Sequence, residues 1–69
     1  MIKIKEFVTR QLEYEKSKYS FAKKLGITPQ RLEHYLNKDI QDIEVALAKK
    51  IWDEYKVEIY PFDRGVLDE

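Results

Sequence analysis

Four polar side chains lie close together between Pro29 and Tyr35, and their hydrogen-bonding groups suit nucleic-acid bases. They are Gln30, Arg31, Glu33 and His34. Glutamine suits adenine and arginine suits guanine through paired hydrogen bonds, and glutamate can accept a bond from the amino group of cytosine. A histidine one turn further along a helix can contact a base or a phosphate. This chemistry is available only if one exposed element carries these side chains.

Catalysis is not expected from the same residues. His34 is the only histidine, the chain has no cysteine, and the adjacent Glu33 would point elsewhere on a helix. The sequence contains no HExxH motif, no glycine-rich phosphate loop and no paired-histidine metal spacing. We therefore predict a protein that is not an enzyme, without catalytic residues, metal ligands or cofactors.

The element that carries these residues is predicted to be the second of two short helices between residues 17 and 38. Ser17 suits the cap of the first helix, because its hydroxyl can accept from a free backbone N–H. Gly26 ends that helix, since glycine adopts the left-handed conformation at little cost. Thr28 can cap the second helix, and Pro29 suits its first position, where no N–H is needed.

The apolar side chains of both helices recur at helical spacing and are predicted to face the core. They are Phe21, Ala22 and Leu25 in the first helix and Leu32, Tyr35 and Leu36 in the second. Gln30, Arg31, Glu33 and His34 then point outward.

This pattern resembles the helix-turn-helix of the lambda repressor/Cro family, also called XRE-like. The matching residues are Ser17, Ala22, Gly26, Ile27 and Leu32. A small side chain such as alanine is needed where the two helices cross steeply. The resemblance implies a mostly α, lambda-repressor-like domain whose second helix lies in the DNA major groove.

The resemblance also implies which residues would contact a double-stranded DNA operator. The candidate base-reading residues are Gln30, Arg31, Glu33 and His34. The candidate phosphate-binding residues are Lys18, Lys23, Thr28 and Lys38. Lys18 is predicted at the amino end of the first helix, where free amides also favour phosphate. Pro29 departs from the family, which often has a polar side chain for DNA at that position.

The remaining chain is predicted to form two more helices and an extended carboxyl-terminal segment, giving one domain of about four helices over residues 1–69. The first helix should run from Lys5 to about Glu15, and the last from about Asp42 to Tyr55. Residues 56–69 should be extended, with a turn at 63–65 and a frayed tail. This segment can pair with Ile2–Ile4 or cross to another subunit, and Phe62 can pack on its own core or on a partner.

Charge is distributed unevenly although the net charge is zero. Residues 16–38 carry six basic side chains and one acidic, a charge of +5, whereas residues 39–69 carry four basic and nine acidic, a charge of −5. Such a chain can direct a positive face to phosphates. At 69 residues the chain is near the lower limit for a stable core, which favours a homodimer. The charged amino end and short apolar runs predict neither a signal peptide nor a membrane span, and hence a cytoplasmic location.

The expected function is that of a Cro-like phage repressor that binds an operator sequence-specifically and occludes it. The alternative is an antirepressor, a modulator that binds a repressor protein through the same fold and an acidic surface. An antitoxin-type DNA-binding protein is a third possibility that the sequence does not separate from the first.

Overall fold

Five helices account for most of the chain in the computed structural model, which describes residues 1–40 and 43–68. They are α1 (Ile4–Leu12), α2 (Lys18–Leu25), α3 (Pro29–Asn37), α4 (Val45–Tyr55) and α5 (Arg64–Leu67). Within those described residues the only β pairing is an isolated parallel bridge between Ile2 and Ile59. The prediction of a mostly α fold is therefore confirmed.

The core lies where α1, α2 and α4 bring aromatic rings together. The Phe7 and Tyr55 ring centroids are 5.3 Å apart, and both rings also meet Phe21, at 6.2 and 6.5 Å respectively. Leu32 and Tyr35 of α3 are buried in the same core, where α3 packs on α1 and α2. Aromatic side chains bury a large apolar area each, which helps a chain this short to fold.

The turn between α2 and α3 forms as the sequence predicts. The Ser17 hydroxyl accepts from the Ser20 N–H at 3.1 Å, and the Thr28 hydroxyl accepts from the Arg31 N–H at 3.1 Å. Gly26 ends α2 with φ of 73°, in the left-handed region. Pro29 occupies the first turn of α3. The predicted caps and the predicted glycine turn are thus confirmed.

Two helix ends differ from the sequence prediction. α1 ends at Leu12 and not near Glu15, because the Tyr14 and Glu15 N–H groups bond three residues back, to Gln11 and Leu12. Such bonds tighten and terminate a helix. α4 begins at Val45 with Glu44 in the cap position. Asp42, its predicted start, lies outside the described residues.

The carboxyl-terminal segment is extended only as far as Ile59, so the prediction of an extended tail over 56–69 is wrong beyond that residue. Tyr60 and Pro61 form a turn in which the Phe62 N–H donates to the Ile59 carbonyl at 2.8 Å. The Asp63 carboxylate accepts from the Val66 N–H at 3.1 Å and caps α5. Leu67, predicted to fray, is 1% exposed and belongs to the core. A capped turn that buries a leucine is more stable than a solvated tail, which is why a fifth helix is present.

The extended part pairs with the amino-terminal residues, one of the two predicted alternatives. The Ile2 N–H donates to the Glu58 carbonyl at 3.0 Å, and the Tyr60 N–H donates to the Ile2 carbonyl at 2.7 Å. Phe62 is half-buried against the core of its own chain. The two ends of the domain are therefore held together by backbone hydrogen bonds.

Candidate nucleic-acid interface

The outward side of α3 is exposed because the opposite side belongs to the core. Leu32 and Tyr35 are 0% and 2% exposed. Gln30, His34 and Asn37 are exposed and follow one another at four- and three-residue intervals, which places them along one side of the helix. We call these three residues the α3 face.

Arg31 lies at one edge of this face and turns toward α4. Its Nε donates to the Tyr35 hydroxyl at 3.1 Å, and its terminal nitrogen lies 3.4 Å from a carboxylate oxygen of Glu44. The guanidinium carbon is also 5.5 Å from the centroid of the Tyr35 ring. The sequence predicts that Arg31 reads bases beside Gln30, but in the free protein two of its five N–H groups bond Tyr35 and Glu44 of its own chain.

Glu33 lies at the other edge and turns toward α2. One carboxylate oxygen accepts from the Lys18 ammonium at 2.6 Å, and the other accepts from the Asn37 amide at 3.3 Å. The hydrogen bond from Lys18 lowers the pKa of Glu33 from its ordinary value. The predicted base-reading residues are therefore divided. Gln30 and His34 lie on the α3 face, whereas Arg31 and Glu33 lie at its two edges, each in an ion pair with a residue of another part of the chain.

The four predicted phosphate-binding residues also differ in whether their polar groups already have partners within the chain. Lys18 is held by Glu33, whereas Lys23 and Lys38 are exposed and form no ion pair within residues 1–40 and 43–68. Thr28 uses its hydroxyl oxygen to cap α3 and retains a hydroxyl proton to donate. Lys38 follows the last residue of α3, so it lies at the carboxyl end of the α3 face.

Lys24 belongs to the fold and not to this surface. Its ammonium lies 2.8 Å from the Glu15 carboxylate, whose side chain is only 6% exposed and also accepts from the Gln11 amide at 3.1 Å. The Lys24 hydrogen bond, and then the Gln11 bond, lower the pKa of Glu15. The same contact with Glu15 raises the pKa of Lys24.

These ion pairs reduce the local positive charge that the sequence suggests. Three of the six basic side chains in residues 16–38 are paired, and two of their partners, Glu15 and Glu44, come from outside the segment. Including those two carboxylates lowers the charge around α2 and α3 from +5 to +3. The remaining positive charge comes from Lys16, Lys23 and Lys38.

Sequence reasoning missed two exposed residues of this region. Asn37 is the last residue of α3 and extends the α3 face by one turn. Its position three residues after His34 and seven after Gln30 is the signal that could have identified it. Tyr19, in the first turn of α2, is 68% exposed. Its position two residues before Phe21, off the apolar stripe of Phe21 and Leu25, is the signal that could have identified it.

No helix in the described part of the chain has the length and apolar content needed to cross a membrane. Comparisons of this chain with protein-family models, curated proteins and solved structures found no match.

Proposed function

We propose that the protein is a sequence-specific DNA-binding regulator that inserts α3 into the major groove. The observation that carries this proposal is the α3 face, an exposed helix side on which Gln30 and His34 have no side-chain hydrogen bond within the described residues, opposite the buried Leu32 and Tyr35. An α-helix fits the major groove, and amide side chains can bond base edges there. The dimensions and the chemistry of the face both suit that role.

The proposed fold assignment is a lambda-repressor-like helix-turn-helix formed by α2, the turn after Gly26, and α3. The left-handed φ of Gly26 and the complete burial of Ala22 support it. The buried alanine allows α2 and α3 to approach closely, and the glycine turns the chain between them. α2 would then lie across the backbone while α3 contacts the bases.

The residues of the α3 face and the lysines beside it divide into proposed base-reading and phosphate-binding residues. Gln30 pairs with adenine, and His34 and Asn37 contact bases or phosphates further along the groove. Lys23 and Lys38, whose ammonium groups are not ion-paired in the described residues, bind phosphates and set the register. Arg31 can offer guanine the three N–H groups that do not bond the Tyr35 hydroxyl or Glu44.

The proposed mechanism of regulation is occlusion, as for a Cro-like repressor. A helix of nine residues is about 14 Å long and covers only a few base pairs. One copy therefore contacts too little DNA for tight specific binding, and two copies on a two-fold operator are expected. The bound pair would exclude polymerase or another repressor from the site.

Selection of binding sites from a random duplex library, followed by gel shifts at several salt concentrations, tests the proposal. We expect an enriched motif and an affinity that falls as salt rises. Gln30→Ala should reduce the preference at one base position by about 1–3 kcal/mol, whereas Lys23→Ala should weaken all sequences alike. Affinity that is absent or independent of salt would overturn the proposal.

A second candidate function, binding to a repressor protein as an antirepressor, is favoured by the pairing of the cations. Half of the basic side chains of residues 16–38 are already bound to carboxylates, which weakens attraction to phosphates. A pull-down with a repressor encoded nearby, with and without its operator duplex, separates the two functions. Capture that DNA abolishes would favour the antirepressor.

A further inference from the structure

The shortest ion pair in the described residues joins the two helices of the candidate interface. The Lys18 ammonium, in the first turn of α2, lies 2.6 Å from the Glu33 carboxylate on α3. Both side chains are about half exposed, at 55% and 42%. Neither is part of the core, and Lys18 is the first residue of α2, the helix proposed to lie across the DNA backbone.

The Glu33 carboxylate is held in place by a second bond. Its other oxygen accepts from the Asn37 amide at 3.3 Å, one turn along α3. The carboxylate therefore has one oxygen for the lysine and one for the helix that carries it. A phosphate oxygen would make the same charge-assisted hydrogen bond with Lys18 that Glu33 makes.

A lysine bound to an internal carboxylate contributes little to DNA affinity. Protein–DNA affinity at moderate salt arises largely from counterions released when cations bind phosphates. Lys18 must give up Glu33 to make such a contact, and an unpaired Glu33 would then repel the phosphate backbone. The Lys18–Glu33 pair therefore contributes little to DNA affinity, although Lys18 alone would attract the phosphate backbone.

We propose that Glu33 competes with DNA phosphates for Lys18 and thereby lowers the affinity of the protein for DNA of every sequence. This inference rests on the proposed DNA-binding function. Because non-specific binding depends almost entirely on phosphate contacts, the competition reduces binding to unrelated DNA while the base contacts of Gln30 are retained. Glu33 therefore sets the overall affinity for DNA by removing a phosphate contact, and it does not read cytosine.

Gel shifts with Glu33→Gln on the selected operator and on a random duplex test this inference. The substitution frees Lys18 for one more phosphate contact, so the slope of log K against log salt should steepen by about 0.9. At 0.1 M salt both duplexes should bind about eightfold more tightly. Thermal melting of each variant checks that the fold is retained.

Two further variants test whether Lys18 is the cause of the steeper salt dependence in Glu33→Gln. Glu54→Gln makes the same change of charge on α4, away from the Lys18–Glu33 pair, and should leave the slope unchanged. The double variant Lys18→Met/Glu33→Gln should return the slope to that of the wild type, because no lysine is available to make the extra contact.

The outcomes separate the inference from the function on which it rests. Salt-dependent binding by the wild type with an unchanged slope in Glu33→Gln overturns the inference alone. A steeper slope that persists in the double variant, or that Glu54→Gln reproduces, also overturns it, because the effect would then be one of general charge. If neither the wild type nor any variant binds DNA, the proposed function itself is overturned.

Discussion

Arg31 and Gln30 are adjacent in sequence and each can form paired hydrogen bonds with a base, yet the structure gives them different surroundings. Gln30 is exposed on the α3 face, whereas Arg31 bonds the hydroxyl of the buried Tyr35 and the carboxylate of Glu44. A buried hydroxyl without a partner costs free energy. Arg31 consequently stabilises the domain in addition to any contact it makes with DNA.

Arg31→Ala should lower the free energy of unfolding by about 1 kcal/mol, because the Tyr35 hydroxyl loses its hydrogen bond. Urea denaturation of the variant measures the change. In a Tyr35→Phe background the hydroxyl is already absent, so the same substitution should cost less. An equal cost in both backgrounds would contradict the assigned role of this bond.

The Glu15 carboxylate gives the stability of the domain a defined pH dependence. Its pKa in the folded state is below the ordinary value of 4.5, because it accepts from Lys24 and Gln11. The unfolded state therefore binds the proton more tightly. The stability that Glu15 contributes is present above pH 4.5 and is lost as the pH falls through its lower, folded-state pKa.

Glu15→Gln should lower the free energy of unfolding by about 1 kcal/mol near pH 7, and this deficit should shrink as the pH falls below 4.5. Thermal or urea denaturation between pH 3 and pH 7 checks it. Glu13→Gln, an exposed carboxylate without an ion pair in the described residues, is the matched control and should change stability little at any pH. A deficit of constant size would contradict the prediction.

Among the elements, α5 is the shortest, and its position depends on contacts with α4. Trp52 of α4 donates to the Asp68 carboxylate at 2.6 Å. The Arg64 guanidinium lies 5.1 Å from the centroid of the Trp52 ring, and Leu67 is 1% exposed. A four-residue helix has little stability of its own, so burial of Leu67 and the contacts with Trp52 must hold it.

Leu67→Ala should destabilise the domain by about 3 kcal/mol, because it leaves a cavity beneath α5. Val66 is 42% exposed, so Val66→Ala should cost far less and serves as the control. Trp52 is the only tryptophan, and its fluorescence during denaturation follows both variants. Equal losses for the two substitutions would indicate that α5 does not pack on α4 in solution.

At the scale of the whole molecule, the domain is small relative to the DNA that it is proposed to bind. Its longest dimension is 31 Å. Successive major-groove faces on one side of DNA are about 34 Å apart. Two copies side by side can therefore present two α3 helices to a two-fold operator.

Titration of a two-fold symmetric operator should saturate at two protein chains per duplex, and analytical ultracentrifugation of the complex measures this ratio. A duplex that carries only one half-site should bind more weakly, because the second copy adds contacts at little further cost in entropy. Saturation at one chain per duplex would contradict the dimer model of occlusion.

The sequence by itself determined the local structure of residues 17–38. Ser17, Gly26, Thr28 and Pro29 act on backbone groups only a few residues away, so their effects can be read without knowing the fold. The periodicity of Leu32 and Tyr35 likewise determined which side of α3 is buried and which remains exposed. These interactions are short in range, and the predictions based on them were confirmed.

Only the tertiary structure decided which basic side chains remain unpaired and able to bind phosphates, and whether the carboxyl-terminal segment folds. Lys18 and Glu33 are fifteen residues apart, and Trp52 and Asp68 are sixteen apart, so neither contact follows from helical spacing. Charge counted along the sequence ignores such pairs, and Leu67 has no apolar periodicity around it. Contacts between distant residues depend on how the helices pack, and this packing pairs Glu33 with Lys18.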